Sequence, residues 1–290
     1  MKWPALGYAR ATSLDALWRL LAEHPAAQIL AGGQTLLATL AFRLSEPGML
    51  VDITRIEALR GVRLVDGALR IGALTRHAEL ARDPLIAAHA PLLAEAAPLI
   101  AHPAIRNRGT IGGSLAYADP AAELPACAVA LDATLHLVSA AGERRVKAAE
   151  FFTGLLTTAL APGEIIAAVE VPPAGAPMRS IILEIARRSG DYAMAGLACA
   201  LRLDAAGRVA APRLVFFGVG NGPVLAAGAN AALEGRVLDA AAIAAAEAAL
   251  AADLDPPADL HGPPELKRHL ARVLTGRALR SFLPAEAAAA

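Results

Sequence analysis

Cysteine is scarce in the 290-residue sequence. Its two cysteines, Cys127 and Cys199, are far apart and match no metal-ligand spacing. Iron–sulfur clusters are held by several cysteine thiolates, so this chain cannot hold a cluster by itself. We expect both residues to be small, buried side chains of a protein that folds in a reducing compartment.

An excess of one charge is also missing. Lysine and arginine total 27, aspartate and glutamate also total 27, and the formal net charge is zero. Proteins that bind nucleic acid normally carry a basic excess, which disfavours nucleic acid as a partner. Copies of a chain with zero net charge do not repel one another, so self-association or a permanent protein partner fits the composition.

The sequence lacks a long uninterrupted apolar segment. The N-terminus has no apolar run typical of a secretory signal, and charged residues stud or flank the alanine-rich stretch 238–252. That stretch is shorter than the roughly 20 apolar residues needed to cross a bilayer. We therefore expect a cytoplasmic protein without a membrane span. Because neither a Ser-His-Asp set nor a cluster of metal ligands is apparent, we predict no catalytic residue and no metal site here.

The chain does contain patterns typical of two domains. Its length exceeds the roughly 100–200 residues of one domain. Helical and strand patterns alternate up to about residue 175, and a proline-rich linker at 172–177 precedes a region of strands followed by helices. The predicted helices are one ending at His24 and those at 36–44, 84–101, 119–130, 239–251 and 264–283. The predicted strands are 28–30, 49–53, 62–65, 68–71, 134–139, 144–147, 164–171, 180–187, 195–203 and 213–218.

A pair of glycines follows the first of these strands. The loop is Ala31, Gly32, Gly33, Gln34 and Thr35. Glycines let the backbone approach a ligand, and free N–H groups at the start of a helix suit a phosphate. The loop matches neither the dinucleotide pattern GxGxxG nor the P-loop pattern. A tight turn without a ligand explains a single glycine pair at least as well.

A second glycine pair strengthens the interpretation as a ligand site. Its loop is Thr110, Ile111, Gly112, Gly113 and Ser114, where adjacent glycines again stand beside hydroxyl groups. Two such loops could grip one pyrophosphate if the fold brought them together. They could equally be two independent turns. A polar run follows the second loop and contains Tyr117, Asp119 and Glu123.

Both loops lie in segments that resemble a known family. AGGQTLLATL at 31–40 and AIRNRGTIGGSLAYADPAAELP at 104–125 resemble the medium subunit of bacterial molybdenum hydroxylases, the carbon monoxide dehydrogenase-like and xanthine dehydrogenase-like enzymes. The resemblance covers nearly the whole chain. It continues through LVDITRI at 50–56, RIGALTRHAEL at 70–80, FFTGLLTTALAPGEII at 151–166 and RRSGDYAMAG at 187–196.

This resemblance implies an α+β fold with a two-part FAD-binding domain of the vanillyl-alcohol-oxidase (PCMH) type. A C-terminal domain with an antiparallel sheet and helices should follow. On this basis we expect the FAD-binding domain at 1–175, with parts at 1–56 and 57–175. The C-terminal α+β domain is then expected at 176–290.

The resemblance also assigns cofactor contacts. In the family both glycine loops contact the FAD pyrophosphate, which implicates residues 31–35 and 110–114 here. Glu123 matches a carboxylate that binds the ribityl chain or nearby hydroxyls, and Asp119 is a weaker candidate for the same region. The expected ring contacts are Ile100 as an apolar neighbour, the backbone of Ile166 at the ring edge, and the aromatic ring of Tyr192.

Other polar residues receive less specific expectations. Many relatives carry a lysine where this chain has Glu184, so the tuning of reduced flavin should differ while FAD binding is kept. We expect His77 and Glu79 to face solvent on a short helix, and His102 to have a structural or surface role. The residues that could neutralise phosphate, dock a partner or simply be solvated are Arg106, Asn107 and Arg108.

The expected role is that of an electron-transfer subunit. FAD on this chain would take electrons from the [2Fe-2S] clusters of an iron–sulfur small subunit and deliver them to an external acceptor. A large subunit with molybdopterin would oxidise the substrate, in a dimer of heterotrimers. The alternatives are a free-standing FAD-dependent oxidoreductase with its own acid–base group, and a scaffold that has lost its flavin.

Overall fold

The structure, a computed structural model, describes residues 3–173 and 178–283. Its first part is a small parallel sheet with helices. The elements are β1 (Gly7–Arg10), α1 (Leu14–Glu23), β2 (Gln28–Leu30), α2 (Leu36–Ala41) and β3 (Met49–Asp52). Strand β3 pairs in parallel with both β1 and β2. The Ser13 hydroxyl caps α1 by accepting the Ala16 N–H at 3.1 Å. The helix buries Leu17 in the core of this part.

The second part contains a five-stranded sheet and a separate two-stranded sheet, covered by short helices. Its strands are β4 (Val62–Val65), β5 (Ala68–Gly72), β6 (Thr134–Ser139), β7 (Gly142–Lys147), β8 (Phe152–Gly154), β9 (Thr157–Thr158) and β10 (Ile165–Val171). Its helices are α3 (His77–Leu80), α4 (Pro84–His89), α5 (Pro91–Ala96), α6 (Pro103–Arg106), α7 (Ile111–Tyr117), α8 (Glu123–Ala130) and α9 (Ala148–Phe151). The main sheet is antiparallel in the order β4-β5-β10-β6-β7, and β8 pairs with β9. Helices α5, α7 and α8 share one apolar core with β5 and β6.

The third part is an antiparallel sheet with helices packed on it. Its elements are β11 (Met178–Ile185), β12 (Ala195–Leu203), β13 (Val209–Phe217), β14 (Val224–Leu225), α10 (Ala227–Leu233), α11 (Ala240–Asp253) and α12 (Pro264–Arg280). The strand order is β11-β12-β13-β14. One face of β12, with Leu197 and Cys199, packs against α10 to α12. The opposite face, with Ala198 and Ala200, packs in the same core as α5 and α8. The predicted fold class is confirmed.

Hydrogen bonds join the third part to the second. The Arg213 guanidinium donates to the Val129 carbonyl at 2.9 Å, and the Gly218 N–H donates to the Pro120 carbonyl at 2.8 Å. Of the predicted linker 172–177, residues 174–177 lie outside the described residues. The domain boundary at 175 therefore stays a prediction. Among the described residues, no helix is both long and apolar enough to cross a membrane.

Turn chemistry accounts for the hairpin formed by β4 and β5, which match the strands predicted at 62–65 and 68–71. Asp66 and Gly67 have φ values of 52° and 80° between β4 and β5. Positive φ at both central residues is the type I′ geometry that fits the twist of a two-residue hairpin. These two predicted strands are confirmed.

Several predicted helix boundaries are wrong. The helix predicted at 84–101 is two helices, α4 and α5, because Pro91 starts a new one after Ala90 leaves the helical conformation with φ −145°. The helix predicted from 119 begins at Glu123, and α2 ends before Arg43, whose φ is 56°. The sequence analysis also missed several elements that are short and have no long apolar run. These are β1, β8, β9, β14, α6, α7, α9 and α10.

Candidate functional site

A cavity of about 500 Å³ opens where the three parts of the fold meet. Its size is within the range of small-molecule and cofactor sites, roughly 300–1,000 Å³. The sequence-predicted site residues that line it are Ala31, Gly32, Gly33, Gln34, Thr35, Ile100, Thr110, Gly112, Gly113, Ser114, Asp119, Glu123, Ile166 and Tyr192. Residues far apart in sequence therefore converge on one space.

Ile111 is the predicted site residue that does not line the cavity. Its side chain is 1% exposed and belongs to the apolar core. Its N–H donates to the Thr75 carbonyl at 3.0 Å and is therefore already paired. As the first residue of α7, Ile111 packs its side chain into the core. The structure thus does not bring it to the cavity, and its contact with a cofactor stays a prediction.

The two glycine loops touch each other. A Cβ atom on Gly32 would collide with the Arg108 carbonyl oxygen and lie 2.8 Å from the Gly109 Cα atom. A Cβ on Gly113 would lie 3.8 Å from the Ala31 Cβ. Glycine at position 32 therefore permits a backbone approach that no other residue allows. The residues alone left convergence of the loops open, and the structure brings them into contact.

The backbone N–H groups of the two loops differ in availability. Within the described parts of the chain, the N–H groups of residues 31–35 donate to no protein atom. Gly33 bends this loop with a φ of 73°. In the second loop, the Gly112 N–H donates to the Ala73 carbonyl at 2.9 Å and the Gly113 N–H to the Thr110 hydroxyl at 3.1 Å. The first loop thus offers unpaired donors, while the second offers close approach and hydroxyl groups.

Two carboxyl groups form the polar wall. Helix α7 ends at Ala118, whose left-handed φ of 56° reverses the chain beside the cavity, and Asp119 then accepts the Ala121 N–H at 2.9 Å. Glu123 follows as the first residue of α8. Burial raises the pKa of Glu123 to about 8, and repulsion from Glu184 and Asp119 adds to this. An uncharged Glu123 carboxyl can both donate to and accept from hydroxyl groups of a ligand.

Glu184 lies behind this wall and does not line the cavity. Burial raises its pKa to about 7, and its buried Oε2 atom has no hydrogen-bond partner among the described residues. It is paired across the sheet with Gly196 of β12. Its negative charge acts on the site through Glu123, whose pKa it raises.

The apolar wall depends on Arg106. The Arg106 Nη1 atom donates to the Pro98, Ile100 and Ala101 carbonyls at 3.1, 2.8 and 2.8 Å. These bonds fix the segment that carries Ile100 into the cavity. The guanidinium is thus engaged with the backbone, whereas Asn107 and Arg108 are exposed.

The loop before β12 closes the cavity from the third part of the fold. A Cβ atom on Gly190 would lie 2.9 Å from the Ala101 carbonyl oxygen, so this loop rests directly on the wall that Arg106 holds. Tyr192 lines the cavity from the same loop and is 57% exposed. Its ring therefore stands at the mouth of the cavity, where it can cover a flat ligand.

His77 is a cavity residue that the sequence analysis placed wrongly. It was expected in solvent, but it is 6% exposed and lines the cavity. The available signal was spacing, because His77 stands three residues from Leu74 and three from Leu80, and both leucines are buried. Glu79 is exposed and its carboxylate accepts the Arg76 N–H at 2.7 Å. The surface position expected for His102 is confirmed.

The chain matches known proteins along nearly its whole length. A model of the family described as "FAD binding domain in molybdopterin dehydrogenase" matches residues 4–174. A model described as "CO dehydrogenase flavoprotein C-terminal domain" matches residues 182–282. The 6-hydroxypseudooxynicotine dehydrogenase complex subunit alpha of Paenarthrobacter nicotinovorans is 41% identical over 284 residues, which is 98% of this chain and 96% of that protein.

Solved structures give the same result. Carbon monoxide dehydrogenase from Hydrogenophaga pseudoflava, in a form that lacks the Mo-pyranopterin moiety, matches with a TM-score of 0.93 and 37% identity, covering 96% of this chain and 97% of that one. Quinoline 2-oxidoreductase from Pseudomonas putida 86 matches with a TM-score of 0.91 and 38% identity, covering 100% and 99%. The expected resemblance is confirmed, and this chain belongs to the family of FAD-binding medium subunits of molybdopterin-dependent dehydrogenases.

Proposed function

We propose that the chain serves a molybdenum hydroxylase as its electron-transfer subunit. FAD would lie in the cavity with its pyrophosphate at the two glycine loops, its ribityl chain near Glu123 and its ring near Ile100, Ile166 and Tyr192. The observation that carries this proposal is the convergence of both glycine loops and these side chains on one cavity.

The residues of the cavity fit this cofactor. The unpaired N–H groups of residues 31–35 suit the oxygens of a pyrophosphate. Glycines at 32 and 113 leave space that a side chain would fill. Asp119 supports the polar end: burial raises its pKa, so hydroxyl groups of a ligand that donate to its carboxylate would replace part of the solvation it has lost.

When bound, FAD supplies the capacity to accept and release electrons. The chain's own residues would hold and shield it. The first loop would anchor the phosphates, Arg106 would keep the Ile100 wall in place, and Tyr192 would limit the access of water to the ring. Positioning of this kind is what a protein contributes to cofactor chemistry.

The partner subunits are proposed from the complexes to which the relatives belong. One relative named above is a subunit of a dehydrogenase complex, and another belongs to a carbon monoxide dehydrogenase with a molybdenum cofactor. We infer a small subunit with [2Fe-2S] clusters as electron donor, a large molybdopterin subunit as the site of substrate oxidation, and a dimer of such heterotrimers. Electrons would leave this chain for an external acceptor. A free-standing FAD-dependent oxidoreductase is the competing proposal.

Two further proposals concern organisation. We propose domains at 1–175, with parts at 1–56 and 57–175, and at 176–290. The family regions matched at 4–174 and 182–282 support a division near residue 175. A cytoplasmic location is supported by the two cysteines, which are free and buried.

Purification of the native protein tests the partners. We expect two further chains to copurify, one with iron–sulfur absorption and one with molybdenum. An isolated chain that turns over a substrate without either partner would contradict the subunit role and favour the free-standing enzyme.

Replacement of Gly113 by leucine tests the placement of FAD. Gly113 lines the cavity, and even a Cβ there would lie 2.9 Å from the Thr110 hydroxyl oxygen, so a leucine would crowd the second loop at the cavity. We expect loss of bound FAD. The matched control is Gly48→Leu, where a Cβ would meet nothing within 4 Å. Thr35→Val adds a gentler variant, because the Thr35 hydroxyl lines the cavity without a capping hydrogen bond. Wild-type FAD content in both G113L and T35V would refute the placement.

A further inference from the structure

His77 lies directly under the contact between the two glycine loops. Its backbone N–H donates to the Gly109 carbonyl at 3.0 Å. A Cβ on Gly109 would lie 2.7 Å from the imidazole Cε1 and 2.9 Å from Nδ1, so the ring packs against the Gly109 Cα. Gly32 packs against the same Cα atom. The imidazole therefore borders the cavity where the two loops meet.

Both imidazole nitrogens lack a hydrogen-bond partner. Nδ1 and Nε2 are buried, and no atom of the described residues is bonded to either one. The Thr110 carbonyl lies beside the ring and raises the pKa of the imidazole, but its geometry falls short of a hydrogen bond. A buried donor left unpaired costs free energy, and buried polar groups in proteins almost always have partners. Because His77 lines the cavity, a ligand there is in a position to supply the partner that the ring lacks.

The ionisation of His77 narrows its role. Burial lowers the pKa of the imidazole to about 4, and the nearby positive charge of Arg106 lowers it further. The ring is neutral at physiological pH, with one nitrogen as donor and the other as acceptor. So weak a base is poorly suited to proton abstraction near neutral pH, but its N–H group can donate to an anion.

We propose that His77 anchors the cofactor by donating an imidazole N–H to an oxygen of the FAD pyrophosphate. This inference rests on the proposed FAD site. The imidazole N–H of His77, on α3, would then add to the unpaired backbone N–H groups that the first loop offers. His77 is then a binding residue with no part in electron transfer, and its loss should weaken the binding of any ligand that carries the pyrophosphate.

The test is the affinity of the full chain, stripped of flavin, for three probes. FAD carries both pyrophosphate and flavin, ADP carries pyrophosphate without flavin, and riboflavin carries flavin without phosphate. In His77→Leu we expect the Kd for FAD and for ADP to rise about 10- to 100-fold, the range of a hydrogen bond to a charged group. The Kd for riboflavin should not change. His77→Gln and His77→Asn each place a donor near one ring nitrogen, and at least one should recover most of the affinity.

The matched control is His269→Leu, an exposed histidine on α12. It should leave all three affinities unchanged. If H77L does not fold, imidazole nitrogen resonances of the wild-type chain replace it as the readout. The His77 signals, assigned with H77Q, should shift on addition of ADP and stay in place on addition of riboflavin.

Two results would overturn the inference. One is a folded H77L protein with wild-type Kd values for FAD and ADP, or His77 resonances that ignore ADP. The other is an equal loss of affinity for riboflavin and ADP, which would mark a packing role. Failure of the wild-type chain to bind FAD at all would refute the proposed function instead, so the two failures are distinguishable.

Discussion

Replacing Glu123 by glutamine should stabilise the cofactor-free protein at alkaline pH. Burial, with repulsion from Glu184 and Asp119, raises the pKa of this carboxyl from 4.5 to about 8 on folding. A raised pKa in the folded state means that Glu123 favours folding fully below pH 4.5. This contribution declines as the pH rises and is lost once the pH passes about 8. Each pKa unit is worth about 1.4 kcal/mol, so the loss is at most about 5 kcal/mol. Glutamine has a similar shape and never ionises, so E123Q escapes the loss.

Urea denaturation followed by circular dichroism measures this effect. We expect E123Q to exceed the wild type by about 2–4 kcal/mol in free energy of unfolding near pH 8.5, and by less than about 1 kcal/mol near pH 5. The control is Glu150→Gln, an exposed glutamate on α9, which should show no such dependence on pH. Two outcomes would refute the argument that burial destabilises the ionised carboxyl. E123Q could be no more stable than the wild type, or it could be more stable by the same amount at both pH values.

Two further substitutions separate packing from cofactor positioning. Gly196→Ala should lower the free energy of unfolding by about 1–3 kcal/mol in urea denaturation, because the new Cβ would collide with the Phe217 ring; Gly48→Ala, in open space, should not. Arg106→Met should weaken FAD binding and alter the flavin absorption spectrum, because three carbonyl groups behind the apolar wall lose their donor. Arg108→Met, at an exposed neighbouring position, should leave the spectrum unchanged.

The glycine loops illustrate what the sequence can and cannot predict. Adjacent glycines beside hydroxyl groups are a local signal, so both loops could be found without a structure. The sequence could not show that the two loops differ in free N–H groups. In the second loop, the Ile111 and Gly112 N–H groups are taken up by the carbonyls of Thr75 and Ala73. The sequence around the two glycine pairs gives no sign of which distant carbonyls will accept these hydrogen bonds. Which N–H groups stay free for a ligand is thus a tertiary property.

The same limit explains the errors at His77 and Pro91. A polar residue on a short helix is usually exposed, and only the spacing from Leu74 and Leu80 argued otherwise. A proline at the first position of a helix is favourable, so Pro91 ends one helix while starting the next. Strand β12 was easier to predict, because burial on both faces gives a continuous apolar run.

The position of the cavity links cofactor binding to the arrangement of the fold. Its walls come from three separate parts of the chain: the loop after β2, the start of α7, and the loop of Gly190 and Tyr192 before β12. A ligand that contacts all three parts stabilises only the conformation in which they are assembled. The free energy of this stabilisation grows with the ratio of the free ligand concentration to the Kd. Removal of the cofactor should therefore loosen the contact of Gly190 with the Ala101 wall before it affects the core around β12. Under the proposed placement, the flavin would be a structural link between the two proposed domains as well as their redox group.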